Sequence, residues 1–424
     1  MKKVSIFLFL VSLFLFGCTS ENEEFTPYPT NKSNTFTVSE QDAIGQVLAF
    51  VNQVYGTTRS NENLKVASVK PWLSKTLWKT TSTRGGLLLP DTALYIVNMS
   101  NDDGFALVSA DSRVSGVMAF VEKGSLSPDS EVDNPGFKVF LNGLQGYFEK
   151  KLSITRSITR SNLPVFEYEV HAEPMLTTNW GQGAPYNMYC FTETNEQAVA
   201  GCIAIATAQI CAYHQWPEEF NGHVYDWETI LESDKVSVSN TIAANSVGHL
   251  VRDIGGLVGM NYGVNVSSAS SSNVGNCFDT FNYFYQWNTA PTFGAVDSTL
   301  IDGMPVYFRG QSSSEGHAWV IDGSAVRSAY VQELGPGGYT GGSLLVAYDP
   351  LVHCNWGWNG NMNGFFLYGA FESRYDETDE SLVNDGFPYD VNNKCYLGVE
   401  VDWLSYYLGL NSREKRVKQK RDLK

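Results

Sequence analysis

Gly201-Cys202-Ile203-Ala204-Ile205-Ala206-Thr207-Ala208-Gln209-Ile210 sets a thiol directly after a glycine, at the head of a small and aliphatic run that reads as a buried helix. The thiolate is the nucleophilic form of cysteine, and the positive end of a helix dipole stabilises it. Ala204, Ala206, Ala208 and Ala212 permit close packing, and Pro217 ends the helix. The same cysteine serves equally well as a small buried hydrophobe, so its chemistry rests on distant partners. A cysteine nucleophile needs a base within hydrogen-bond reach and a third group to orient that base. His171 and His223 fall in loop-like segments and His249 on a helix face. His214 lies twelve residues past Cys202, about 18 Å away at helical rise. His317 is better placed: in Gly316-His317-Ala318-Trp319-Val320-Ile321-Asp322 it opens an apolar strand. In His353-Cys354-Asn355-Trp356-Gly357-Trp358, Asn355 can accept the imidazole N–H and Trp356 can shield that bond from water. Gln182, in Asn179-Trp180-Gly181-Gln182-Gly183-Ala184-Pro185-Tyr186-Asn187, can complete an oxyanion hole with the Cys202 N–H.

The elements that must position these residues divide the chain. Ser39 caps an amphipathic helix with Ile44, Val47, Leu48, Val51 and Val54 on one stripe. Ala93–Asn98 and Phe105–Ser109 are strand-like, joined by the turn Asn101-Asp102-Asp103-Gly104. Val114–Val121 makes a third strand, and Pro135–Leu152 returns to helical spacing. This small α+β unit carries no catalytic constellation. Residues 154–163 turn to Ser, Thr and Arg, with Arg156 and Arg160 in an exposed linker suited to cleavage. From Pro164 the composition shifts to Gly, Asn, Trp and Tyr. Helix signals come first, at Cys202, Asn245–Gly259 and Asn273–Tyr285. Strand signals follow at Pro305–Phe308, His317–Asp322, Ser343–Tyr348 and Gly364–Tyr368. Helices then strands predict an α+β fold with a helical lobe packed on an antiparallel sheet.

Four motifs together resemble the streptopain family of papain-like cysteine proteases. They are Trp180-x-Gln182-x-x-Pro185-Tyr186-Asn187, Gly201-Cys202-x-Ala204-x-Ala206-x-Ala208-Gln209, Gly316-His317-Ala318-Trp319-Val320-Ile321-Asp322-Gly323 and Asn355-Trp356-Gly357-Trp358. Gly104-Phe105-Ala106-Leu107-Val108-Ser109-Ala110-Asp111 is similar to that family's propeptide. The resemblance implies a two-lobed catalytic domain at 164–410 behind an inhibitory propeptide domain at 35–153. It implies Cys202 as nucleophile and His317 as general base and acid. Asn355 and Trp356 would support the imidazole, and Gln182 would line the oxyanion hole. Protein or peptide substrates and the chain's own propeptide are the implied partners, and no cofactor is suggested. The segment Ser324–Tyr348 is long for the family and is expected as an extra hairpin near the active site. The basic tail 411–424 has no counterpart there. Two other readings keep the scaffold: an acyl transferase using the same residues, and an inactive surface-binding lipoprotein.

At 424 residues with net charge −16, the chain has the size of two domains and a balance that argues against nucleic-acid binding. Lys2 and Lys3 precede an apolar run from Val4 to Phe16, too short for a permanent span. Leu15-Phe16-Gly17-Cys18 resembles a bacterial lipobox, which implies a signal peptide at 1–17, lipid on Cys18 and a tether at 18–34. The expected location is the cell envelope of a Gram-negative bacterium, anchored to the outer membrane as precursor. Release of the matured protease is left open. Cys190, Cys211, Cys277, Cys354 and Cys395 are irregularly spaced, their pairing open, and no zinc-type spacing occurs.

Overall fold

Ser39 opens the first helix, α1 (Glu40–Val54), through a capping box: its hydroxyl accepts from the Asp42 N–H while the Asp42 carboxylate accepts from the Ser39 N–H. The helix buries Ala43, Val47, Phe50, Val51 and Val54, whereas Leu48 of the expected stripe lies at its margin and is exposed. The computed structural model describes residues 36–56, 65–82, 88–114, 116–154, 165–311, 316–334, 340–372, 393–403 and 406. Cys18, the signal and tether segments, Arg156, Arg160 and the basic tail lie outside the described residues.

Strands β1 (Val66–Leu73), β2 (Thr92–Met99), β3 (Phe105–Ser109) and β4 (Val117–Val121) follow, with short helix α2 (Ser74–Leu77) after β1 and long helix α3 (Pro135–Ile154) after β4. The β2–β3 connection holds Asn101 and Asp102 at positive φ, and Gly104 presses on the Val121–Glu122 backbone where no side chain fits. Next come β5 (Val165–Ala172), α4 (Cys202–His214), β6 (Glu219–Phe220), β7 (His223–Val224), α5 (Trp227–Ile230), α6 (Thr241–Val258) and α7 (Val274–Thr280). The chain continues with β8 (Tyr283–Asn288), α8 (Phe293–Ile301), β9 (Val306–Gln311), β10 (Gly316–Leu334), β11 (Thr340–Asn355), β12 (Gly364–Leu367) and β13 (Lys394–Val401).

These elements form the expected α+β arrangement, with two departures. The helix expected through Tyr285 stops at Thr280, because Asn282 takes a left-handed conformation and the aromatic run after it extends as β8. The Ser324–Tyr348 segment is an outward continuation of the hairpin that bears His317 and Asn355, paired from Val320↔Asn355 to Leu334↔Thr340. At about 3.3 Å per residue, Leu334 stands roughly 55 Å along the strand from His317.

One antiparallel sheet runs through both halves of the chain, in the order β1-β2-β3-β4-β12-β11-β10-β9-β13-β8, with β5 added on β10. The seam is β4 on β12, where Val121, Phe120 and Ala119 face Gly364, Phe365 and Phe366. Helix α3 covers one face, burying Phe137, Phe140, Leu144 and Phe148 with Trp319, Val352, Trp356 and Phe366. On the other face α1 packs Val47 and Phe50 on Tyr168, Leu351 and Phe365. Farther along it, α4, α6 and α7 pack Ala204, Ile254 and Phe278 against Tyr307, Val320 and Tyr396. A buried ion pair ties the halves together. Arg327 donates to the Val117 carbonyl at 2.7 Å and to Asp349 at 2.8 Å. Asp349 also accepts from Tyr147 and Lys151 of α3.

Candidate active site

Cys202 occupies the first position of α4, behind Gly201 at φ 89°. Few side chains adopt that conformation, and a Cβ there would press on Met260, so the turn demands glycine. The first-turn N–H groups of a helix have no intrahelical partner. Burial pushes the Cys202 thiol up in pKa; the N–H groups of Ala318, Ile203 and Cys202 itself, then the Arg309 charge, pull the other way without overcoming it. The sulfur is held as a thiol in this state.

His317 shares its strand face with Trp319 and Ile321, the face that α3 covers. Its Nε2 lies 2.7 Å from the Trp356 carbonyl, so that nitrogen carries the proton and donates. Burial lowers its pKa to about 4, the carbonyl contact only partly opposing this, and the ring is neutral near pH 7. Asn355 does not orient the imidazole. Its Nδ2 donates to the Thr178 carbonyl at 2.6 Å, and its Oδ1 accepts from Gln209 Nε2 at 3.3 Å and the Gly357 N–H at 3.2 Å. Trp356 meets His317 through its backbone; its indole donates to the Met362 carbonyl. Against both stands Gly136 in the first turn of α3: a Cβ there would come 2.2 Å from the Trp356 ring and 2.9 Å from His317 Cδ2.

Cys202, Gln182 and His317 line one cleft of about 510 Å³, with Pro135 of α3 and Trp358 on its walls. The Gln182 carbonyl accepts from the Ala200 N–H at 2.9 Å, fixing its segment to the turn before Cys202. Among the described residues its carboxamide makes no hydrogen bond and is free to serve an oxyanion in the cleft. The structure thus brings the thiol, an amide side chain and an imidazole to one cleft, while Asn355 and Trp356 are not among the residues that line it. Of the other histidines the sequence offered, His171 pairs with Asp297 and His223 with Asp253. All six described cysteines are free.

Two contributors escaped the sequence reading. Gln209, named above only within a motif, is the one amide in α4, is buried, and bridges Asn355 to Thr178 and the Trp180 N–H. That lone amide was the available signal. Gly136 left none, since a glycine at a helix start is ordinary.

The helix-headed cysteine, the antiparallel sheet and the cleft define a papain-like cysteine protease fold. Residues 180–366 match the Peptidase C10 family and residues 35–148 match the Spi protease inhibitor family. The chain is 25% identical over 395 residues to streptopain of Streptococcus pyogenes, covering 81% of this chain and 87% of that one. It is 26% identical over 360 residues to the thiol protease/hemagglutinin PrtT of Porphyromonas gingivalis, spanning 73% of this chain but 37% of that longer protein. A prointerpain A fragment from Prevotella intermedia shares the fold, with a TM-score of 0.52 at 22% identity over 73% of this chain and 97% of the fragment. The chain therefore carries a Peptidase C10 domain of the streptopain family, preceded by a Spi-type inhibitor domain.

Proposed function

We propose that this protein is the zymogen of a cysteine endopeptidase, with Cys202 as nucleophile and His317 as general base and acid. One observation carries the reading: Cys202 heads α4 in a cleft shared with Gln182 and His317, while Gly136 of α3 packs close to a His317 ring that donates to the Trp356 carbonyl. Thiol and imidazole are each neutral in that arrangement. Departure of α3 removes the contact at Gly136 and frees the ring to turn toward the sulfur. The imidazole then takes the thiol proton, and the thiolate attacks a peptide carbonyl. The tetrahedral oxyanion is received by the Cys202 N–H and the Gln182 carboxamide. Collapse expels the amine with a proton from His317, and water activated by the same ring releases the acyl group. Asn355, relieved of part of its present bonding, is the amide assigned to orient the ring.

Cleavage at Arg156 or Arg160 is the proposed first step of activation, and lipid on Cys18 the proposed anchor that places the precursor at the outer membrane. Substituting Cys202→Ala tests the catalytic assignment. The variant should hydrolyse no peptide after trypsin treatment, and its precursor should persist where the parent processes itself. Parent-like hydrolysis by the variant overturns the assignment.

A further inference from the structure

Arg309 on β9 and Lys394 on β13 are directly opposite each other in register, on the sheet face that carries α4. Two cations so placed repel, and a sheet normally avoids such a pair. Both are half-buried and both line the cleft that holds Cys202. Neither forms a salt bridge among the described residues, in a chain whose Asp and Glu outnumber its Lys and Arg by 45 to 29. Arg309 instead donates to Gln311, a neutral partner that also lines the cleft and steers the guanidinium. Arg309 is also the register partner of Ala318, whose N–H faces the Cys202 sulfur. At strand spacings of about 4.8 Å, the pair therefore lies roughly one and two strands away from the nucleophile, within reach of side chains next to a scissile bond.

We propose that Arg309 and Lys394 form a cationic subsite beside Cys202, which binds the carboxylate of an Asp or Glu in the substrate peptide. The proposal rests on the protease reading above for the identity of the ligand, though the charge arrangement stands without it. An acidic side chain entering the cleft relieves the repulsion between the two cations and gains charge-assisted hydrogen bonds from the guanidinium. The low-dielectric cleft walls, Trp287 among them, strengthen that attraction.

Two measurements test it. The full chain, nicked with trypsin and freed of the inhibitor domain in mild denaturant before return to buffer, is given peptide pairs identical except for Glu or Gln at each position flanking the scissile bond. At one position kcat/KM should favour Glu by about tenfold. The double variant Arg309→Gln/Lys394→Gln should bring that ratio close to unity, Arg309→Lys should retain it, and Arg309→Glu/Lys394→Glu should reverse it in favour of Gln. Separately, the rates at which iodoacetate and iodoacetamide alkylate Cys202 are compared by peptide mapping. The anionic reagent should lose its relative advantage in the double Gln variant. Turnover indifferent to Glu or Gln, with alkylation ratios equal in parent and variant, overturns the subsite and leaves the protease intact. Charge-selective alkylation without any peptide cleavage supports the cationic site and overturns the protease reading instead.

Discussion

Gly136 packs on both the Trp356 ring and His317, and no larger residue fits there without moving α3. Gly136→Val should therefore weaken the docking of α3 by about 1–3 kcal/mol, the usual cost of overpacking. The uncut precursor should then gain peptide hydrolysis; latency equal to the parent's would contradict the role given to this contact. The residue scale also shows what a sequence can reveal. That Cys202, His317 and Gln182 belong to one cleft could be anticipated because each sits in a local pattern: a glycine before a small-residue helix, a glycine before an apolar strand, an amide in a turn. The hydrogen bonds of Asn355 were not legible, since Thr178 lies 177 residues and Gln209 146 residues from it in the chain. Nor was the orientation of His317, which depends on a helix from the other end of the chain.

Among the elements, strands β10 and β11 carry Asp322, Arg327, Asp349 and His353 as buried titratable side chains. His353 on β11 has its Nδ1 2.6 Å from Asp322, and its Nε2 lies 3.6 Å from Glu122, which follows β4. Burial alone would lower the His353 pKa, but Asp322 and then Glu122 outweigh it and raise the value to about 10. A base whose folded pKa exceeds its unfolded value of about 6.5 gives its full stabilisation below that pH. The contribution then drains away as pH climbs from about 6.5 through about 10. Precursor melting temperature should fall over that window, and His353→Gln should flatten the fall; parallel declines in both proteins would refute the assignment. Strand and helix positions were largely readable from period-two and period-3.6 patterns. Strands β1, β5, β6, β7 and β13 carry no mark in the sequence and β8 reads there as a helix end; the aromatic side chains of β8 and β13 are sorted by tertiary packing on the helical lobe.

For the whole molecule, the single sheet matters most. The inhibitor domain supplies β1–β4 to it and lends α3 and α1 to cores that also contain Trp319, Trp356, Tyr168 and Phe365. The sequence suggested two domains in series, and composition could not disclose that they share a sheet, because pairing across β4 and β12 leaves no local signature. A consequence is that cutting the linker does not by itself release the inhibitor. Nicked protein should co-elute as one species in size-exclusion chromatography at neutral pH, separating only in mild denaturant or after further digestion; spontaneous separation on nicking would contradict the shared core. The central claim is that Cys202 is a nucleophile kept silent by α3. Its most direct test is labelling by a thiol-directed epoxide, followed by peptide mapping, before and after removal of the inhibitor domain. Labelling should appear at Cys202 only after removal and in step with peptide hydrolysis. Equal labelling in the intact precursor, or none at Cys202 in folded, trimmed protein, would contradict it.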